Sequence, residues 1–231
     1  MLPKLIAATM LFTVSVSSSA ESDHWIDYYK IGVGLVYFSD GTAKYQDLAG
    51  PGEFEFDSGR GYSYSLGIGK KITQWTYLEL LYQATSTTTL SGSLYDEGSY
   101  YADGQMDLSS DSLILSALFD LTWFFEDSLP ITPYAGLGFG VSNNYFEELH
   151  VDGTTAYIPK NKERDLAGRI SLGIVFNLRH LPVLDVAYSY THYGEFRSKD
   201  YGVNPGGQVA PLDPAYHFQA RAHELNISAL F

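Results

Sequence analysis

From Tyr29 to Phe231 the chain alternates apolar and polar side chains in eight separate runs. Side chains on a strand point alternately to opposite faces, so each run predicts a β-strand with one oily and one polar side. The first run sets Tyr29, Ile31, Val33, Leu35 and Tyr37 against Lys30, Gly32 and Gly34. The second sets Tyr62, Tyr64, Leu66, Ile68 and Ile72 against Ser63, Ser65, Gly67, Gly69 and Lys71, and the third sets Leu78, Leu80, Tyr82 and Ala84 against Tyr77, Glu79, Gln83 and Thr85. The fourth sets Leu113, Leu115, Ala117, Phe119, Leu121 and Trp123 against Ser112, Ser116, Asp120 and Thr122. In the fifth, Ala135, Leu137, Phe139 and Val141 oppose Tyr134, Gly136, Gly138, Gly140 and Ser142; the glycine row suits a narrow interior. The sixth opposes Ile170, Leu172, Ile174 and Phe176 to Arg169, Ser171, Gly173 and Asn177, and the seventh Leu184, Val186, Tyr188 and Tyr190 to Asp185, Ala187, Ser189 and Thr191. The last places Leu225, Ile227, Ala229 and Phe231 on one face and Glu224, Asn226 and Ser228 on the other.

The connections alternate in length. Short links fall near Thr73, Asp127 and His180, whereas long segments rich in Gly, Asp, Ser, Tyr and Pro cover about 39–60, 87–110, 143–165 and 197–215. Short turns at one end and long loops at the other are the arrangement of an outer-membrane barrel with an even strand count. Hydrocarbon offers backbone amides no partner, so a sheet in lipid must close on itself. The predicted fold is therefore all-β: a closed, antiparallel, eight-stranded, up-and-down transmembrane β-barrel with both termini in the periplasm and four extracellular loops. A soluble sandwich or lipocalin-like barrel would turn the same stripes inward, and alternation alone does not choose between the two. Aromatics at the strand ends, Tyr28 and Tyr29, Trp75 and Tyr77, Trp123 to Phe125 and Phe176, are placed as interface girdles are and favour the membrane.

The first twenty residues sharpen the compartment. Lys4, the apolar run Leu5 to Val16, and Ser18 and Ala20 ahead of Glu21 read as a secretory signal peptide, leaving 21–231 as one barrel domain. Cysteine is absent, so neither a lipid-modified Cys nor a disulfide is expected. A net charge of -13 makes nucleic acid an unsuitable partner.

With the oily faces turned to lipid, Lys30, Lys71, Glu79, Asp120, Arg169, Asp185 and Glu224 all point into the tube. Eight strands leave an interior just wide enough for side chains to fill, and buried charges are tolerated when opposite signs pair across it. The expected core is thus a charge-paired plug; a thin ion or solute path along the same groups is the alternative. The long loops gather Asp47, Glu53, Glu55, Asp57, Asp96, Glu97, Asp103, Asp107 and Asp111 among Tyr45, Tyr95, Tyr100, Tyr101, Tyr145 and Tyr157. None has EF-hand spacing, and rigid aromatics among small polar residues are what adhesive loops use. No enzyme is expected: His192 near Glu195 lacks a nucleophile, because Ser189 falls at the wrong parity to share its face. No cofactor or metal site is expected, since the histidines lack ligand spacing.

The stretch Pro133 to Gly140 (PYAGLGFG), the strand Asp185 to Gly194 (DVAYSYTHYG) and the terminal Phe231 resemble the small eight-stranded outer-membrane β-barrel proteins grouped with opacity-type and porin-like surface antigens. The resemblance implies a Gram-negative outer membrane and insertion by the barrel-assembly machinery reading the last strand, with Leu225, Ile227, Ala229 and Phe231 as the assembly signal. Outer-membrane lipid and lipopolysaccharide are the expected surroundings, a host or surface ligand is the expected partner of the loops, and the chain is expected to be a monomer. The function expected is a surface protein with a structural or adhesive role; the alternative is a narrow porin-like channel.

Overall fold

The computed structural model describes residues 26–47, 50–124, 131–177 and 182–231. The segment read as a signal peptide, and most of the links around Asp127 and His180, lie outside the described residues. In chain order the strands are β1 (Tyr28–Phe38), β2 (Gly41–Gln46), β3 (Pro51–Phe56), β4 (Gly59–Thr73), β5 (Thr76–Thr85), β6 (Thr88–Asp96), β7 (Ser99–Asp120), β8 (Ile131–Val151), β9 (Tyr157–Phe176), β10 (Val183–Arg197), β11 (Tyr201–Val203), β12 (Val209–Pro211) and β13 (His217–Leu230). All belong to one antiparallel sheet. No helix among the described residues is long and apolar enough to cross a membrane.

Eight of these strands are the predicted ones, and their pairing runs β1–β4–β5–β7–β8–β9–β10–β13. β13 then pairs back onto β1, from Lys30 opposite Leu230 to Phe38 opposite Ala222. Over that span neither the first nor the last strand has an unpaired edge, which is what an apolar surround demands of backbone amides. The predicted faces hold. Leu66, Leu80, Leu115, Leu137, Leu172 and Ile227 are exposed, while Ser65, Glu79, Ser116, Arg169 and Asn226 are buried.

The segments predicted as loops are corrected by the structure. β2, β3, β6, β11, β12 and the distal halves of β7, β8 and β9 occupy them, so the sheet continues well past the eight-run region. They escaped notice because their alternation has the opposite sense. Phe54, Phe56, Leu90, Leu94, Met106, Leu108, Phe146 and Leu149 point inward and are buried, while Glu53, Glu55, Ser91, Ser93, Asp107, Ser109 and Glu147 lie on the more open face. A composition rich in Asp, Ser and Gly hides a strand whose oily residues are only every second position.

Two smaller corrections concern strand ends. The run through Leu121 and Trp123 stops at Asp120, whose carboxylate accepts bonds from the Thr122 amide at 2.8 Å and hydroxyl at 2.6 Å and so starts a 3-10 turn over Thr122–Phe124. Such a local side-chain bond competes with the ladder. Lys71, predicted inside, is exposed: the β4–β5 register shifts between Lys71 and Thr73, and its ammonium lies 5.4 Å from the Tyr77 ring centre.

Candidate functional site

The interior is built in two tiers. Toward the short-turn end, Lys30 sits between two carboxylates, 3.0 Å from Glu79 Oε2 and 2.8 Å from Asp185 Oδ2. Tyr28 donates its hydroxyl to Glu79 at 3.1 Å, and Tyr134 donates to Asp185 at 3.0 Å. One ammonium shared by two acids leaves each carboxylate short of a donor, and the two phenols supply it. Burial of unpaired charge is costly, so this saturation is the condition for keeping three ions inside.

A second cluster lies further along the tube. Arg169 approaches Glu224 at 3.3 Å and donates to Gln83 Oε1 at 2.5 Å and Ser189 Oγ at 2.6 Å. Gln83 donates to the Tyr193 hydroxyl at 2.9 Å, and that hydroxyl donates to Glu224 at 2.5 Å. Tyr193 is fully buried. The prediction placed no inward aromatic there; it points inward because the strand bulges between His192 and Gly194, where Gly194 has φ +81°. A side chain at Gly194 would also meet the Asp165 carboxylate. Glycine within a strand is the sequence mark of such a bulge.

Of the seven charges predicted inside, the structure brings five together in these clusters: Lys30, Glu79 and Asp185 in one, Arg169 and Glu224 in the other. Asp120 is half-buried at the short-turn mouth, where it lines a cavity of about 190 Å³ with Tyr28, Lys30, Glu79, Tyr134 and Asp185. Lys71 is outside. The interior is narrow: a Cβ at Gly138 would collide with Ser116 and Ile114.

Above the second cluster the inside turns oily. Phe38, Phe54, Leu90, Met106, Leu108, Phe146, Leu149, Phe196 and Phe218 form one packed core capped by Tyr45 and Tyr216, whose rings stack at 4.0 Å. Burial, with the neighbouring acids Asp47 and Asp96, pushes both hydroxyls above the ordinary tyrosine value of 10.0. Beside this core the sheet parts. β13 pairs with β2 only at His217 opposite Lys44, and a cavity of about 400 Å³ opens between Phe38–Gly41 and Phe218–Arg221.

The outer surface changes at the same level. Across neighbouring strands the register aligns Tyr82, Leu113, Val141 and Leu166 in one exposed row, and Ala84, Asp111, Asn143 and Arg164 in the next. One row is the last apolar one and the other begins a polar surface, on which Tyr145 donates to Asp111 at 3.1 Å and Arg164 to Asn143 at 3.2 Å. β7 and β8 thus switch from oily-out, polar-in to polar-out, oily-in, while on β9 the outer face turns from oily to charged.

Of the residues weighed for catalysis and set aside, Ser189 is buried against Arg169, while His192 lies on the opposite face, 3.3 Å from Gln219. The Leu225, Ile227 and Phe231 side chains are exposed along β13, and Ala229 is half-buried.

No protein-family model matches the chain, and no curated protein matches it. The fold is similar to that of outer membrane protein OprG from Pseudomonas aeruginosa, with 12% sequence identity over 88% of this chain and 95% of that one and a TM-score of 0.56. It is also similar to outer membrane protease OmpT from Escherichia coli, with 8% identity over 90% of this chain and 98% of that one and a TM-score of 0.53. The likeness is one of fold, an antiparallel all-β sheet similar to those of these two outer-membrane proteins.

Proposed function

We propose that the chain is a closed, eight-stranded outer-membrane barrel, termini in the periplasm, that seals its own interior and holds a rigid β-platform above the membrane as a contact surface. The observation that carries this reading is the reversal of faces within single strands. A surface that is oily up to the Leu113–Val141–Leu166 row and polar beyond it suits acyl chains below and water above. The interior responds in the opposite sense, with paired ions below and an aromatic core above.

A contact role follows from what the platform offers. Tyr100 and Tyr101 are exposed at its tip, beside Asp103 and Glu97, and Tyr95 packs edge-on against Tyr100 at 6.2 Å. Rigid aromatics among small polar residues give contact area at little entropic cost. Unlike a mobile loop, this surface is pre-organised by the core beneath it, which lowers the cost of binding. The narrow porin-like alternative is disfavoured by the two ion clusters and the packed core stacked along the tube.

The test uses the absence of native cysteine. Thr155→Cys, in the far β8–β9 connection, should react with a membrane-impermeant maleimide on intact cells, whereas Gln74→Cys, in the β4–β5 turn, should react only after the outer membrane is opened. Cells carrying Tyr100→Ser with Tyr101→Ser should adhere less to a protein-coated surface at equal amounts of folded protein. Equal labelling of both cysteines on intact cells contradicts the orientation, and unchanged adhesion contradicts the contact role.

A further inference from the structure

We infer that the outward face of β9 is a binding site for the phosphate groups of outer-leaflet glycolipid, built from Lys160, Lys162 and Arg164. This inference rests on the membrane reading above. The three alternate along one strand, so their side chains leave the same face roughly 7 Å apart. All three are exposed. They begin one step beyond Leu166, which is 73% exposed and closes the apolar surface. The column therefore starts where acyl chains would give way to headgroups.

Three features point to an anionic occupant. The chain carries a net charge of -13, yet on this strand three cations follow one another with no outward acid between them. Among the described residues none of the three forms an ion pair with a carboxylate of the chain. Two are pre-positioned by neutral neighbours on β8: Arg164 donates from Nε to Asn143 at 3.2 Å, leaving both Nη groups for a ligand, and the Lys162 ammonium lies 4.8 Å from the Tyr145 ring centre. Two outward acids lie in that register, and both already accept a hydroxyl: Asp111 from Tyr145 at 3.1 Å and Glu147, opposite Lys160, from Ser109 at 3.4 Å. Arg197 adds a fourth exposed cation next door, its carbonyl accepting from Asn161 at 3.1 Å.

A lipid headgroup fits this column better than free phosphate. The oily surface directly below Arg164 would hold the acyl chains that carry the phosphate to it, so one molecule would meet both chemistries. Guanidinium and ammonium groups suit phosphate as charge-assisted donors.

The experiment places the full chain in phosphatidylcholine nanodiscs and measures retention of bisphosphorylated lipid A, dephosphorylated lipid A and inorganic phosphate by native mass spectrometry. Wild type should retain bisphosphorylated lipid A in preference to the dephosphorylated form, and excess inorganic phosphate should displace little of it. Lys160→Gln with Lys162→Gln and Arg164→Gln should weaken retention roughly hundredfold, given the contribution of each cation at an anionic membrane surface. Lys160→Arg with Lys162→Arg should keep it, and Lys44→Gln, at a cation paired with Glu53, should leave it unchanged. Should the triple variant fail to fold, Lys160→Gln and Lys162→Gln singly should each weaken retention several-fold. Equal retention by the neutralised variants, or of dephosphorylated lipid A by wild type, overturns the site; complete displacement by inorganic phosphate assigns the column to free phosphate and overturns the lipid. Failure of the protein to enter nanodiscs at all would instead count against the barrel reading.

Discussion

Glu224 on β13 reaches Arg169 on β9 at 3.3 Å across the interior, spanning β10, the strand that separates them in the sheet. The pair is held from both sides: Tyr193 and Asn226 donate to the carboxylate, while Gln83 and Ser189 accept from the guanidinium. It ties β9 to β13 across the buried face of the sheet, and in the proposed barrel the same atoms would plug the lumen.

Removing one partner should cost far more than removing both. Glu224→Gln or Arg169→Met leaves an ion buried without its counter-charge, at about 3–5 kcal/mol, whereas Arg169→Met with Glu224→Leu should fall much closer to wild type. Urea unfolding from detergent micelles, followed by the shift between folded and unfolded migration on gels, measures the difference. Equal losses in single and double variants would mean that the charges are solvated.

Sealing predicts electrical silence. Wild-type protein in planar bilayers should give no steady openings, and neither should the Arg169→Met and Glu224→Leu double variant, because the core around Phe38, Phe54 and Phe146 still closes the far half. Openings that change when Glu79 or Arg169 is neutralised would revive the channel reading.

The two halves should answer differently to substitution. Leu137→Arg, on the oily exterior, should destabilise by about 2–4 kcal/mol in a bilayer. Phe146→Ala, at the same strand's buried far half, should cost about 3–5 kcal/mol by leaving a cavity. Glu147→Ala, outward and polar, should change stability little. A comparable cost at Glu147 would place that position in an environment other than water.

Alkaline pH should loosen the far half. Burial keeps Tyr45 and Tyr216 protonated in the folded state above the ordinary value of 10.0. A raised folded pKa means that their contribution is intact below pH 10 and is lost as pH climbs through the folded value. Ultraviolet difference spectra should therefore show a late-titrating set of phenols that is smaller by two in Tyr45→Phe with Tyr216→Phe. Titration of all tyrosines in a single step at the ordinary value would contradict the packing.

The barrel strands were legible because Leu137, Phe139 and Val141 alternate with glycines and Ser142 without interruption. Most interior charges were legible for the same reason, since parity alone assigns Glu79, Asp185 and Glu224 to one side. What parity does not carry is phase and partnership. The inversion at Phe146 and Leu149 read as loop because a bulge near Glu147 resets the alternation and the surrounding residues are polar. Lys30 choosing both Glu79 and Asp185 depends on strands 49 and more residues away, and no local pattern encodes that meeting. Tyr193 turned inward through a single bulge, which Gly194 signalled and strict alternation missed.

The level at which β8 leaves the acyl chains is open to direct measurement. Single cysteines at Leu137, Phe139, Val141, Asn143, Tyr145 and Glu147, each carrying a small fluorophore, can be read in bilayers whose acyl chains bear a bromine quencher. Strong quenching at Leu137, Phe139 and Val141, falling away from Asn143 onward, is the predicted result; quenching that is uniform along the strand, or absent throughout, would contradict it.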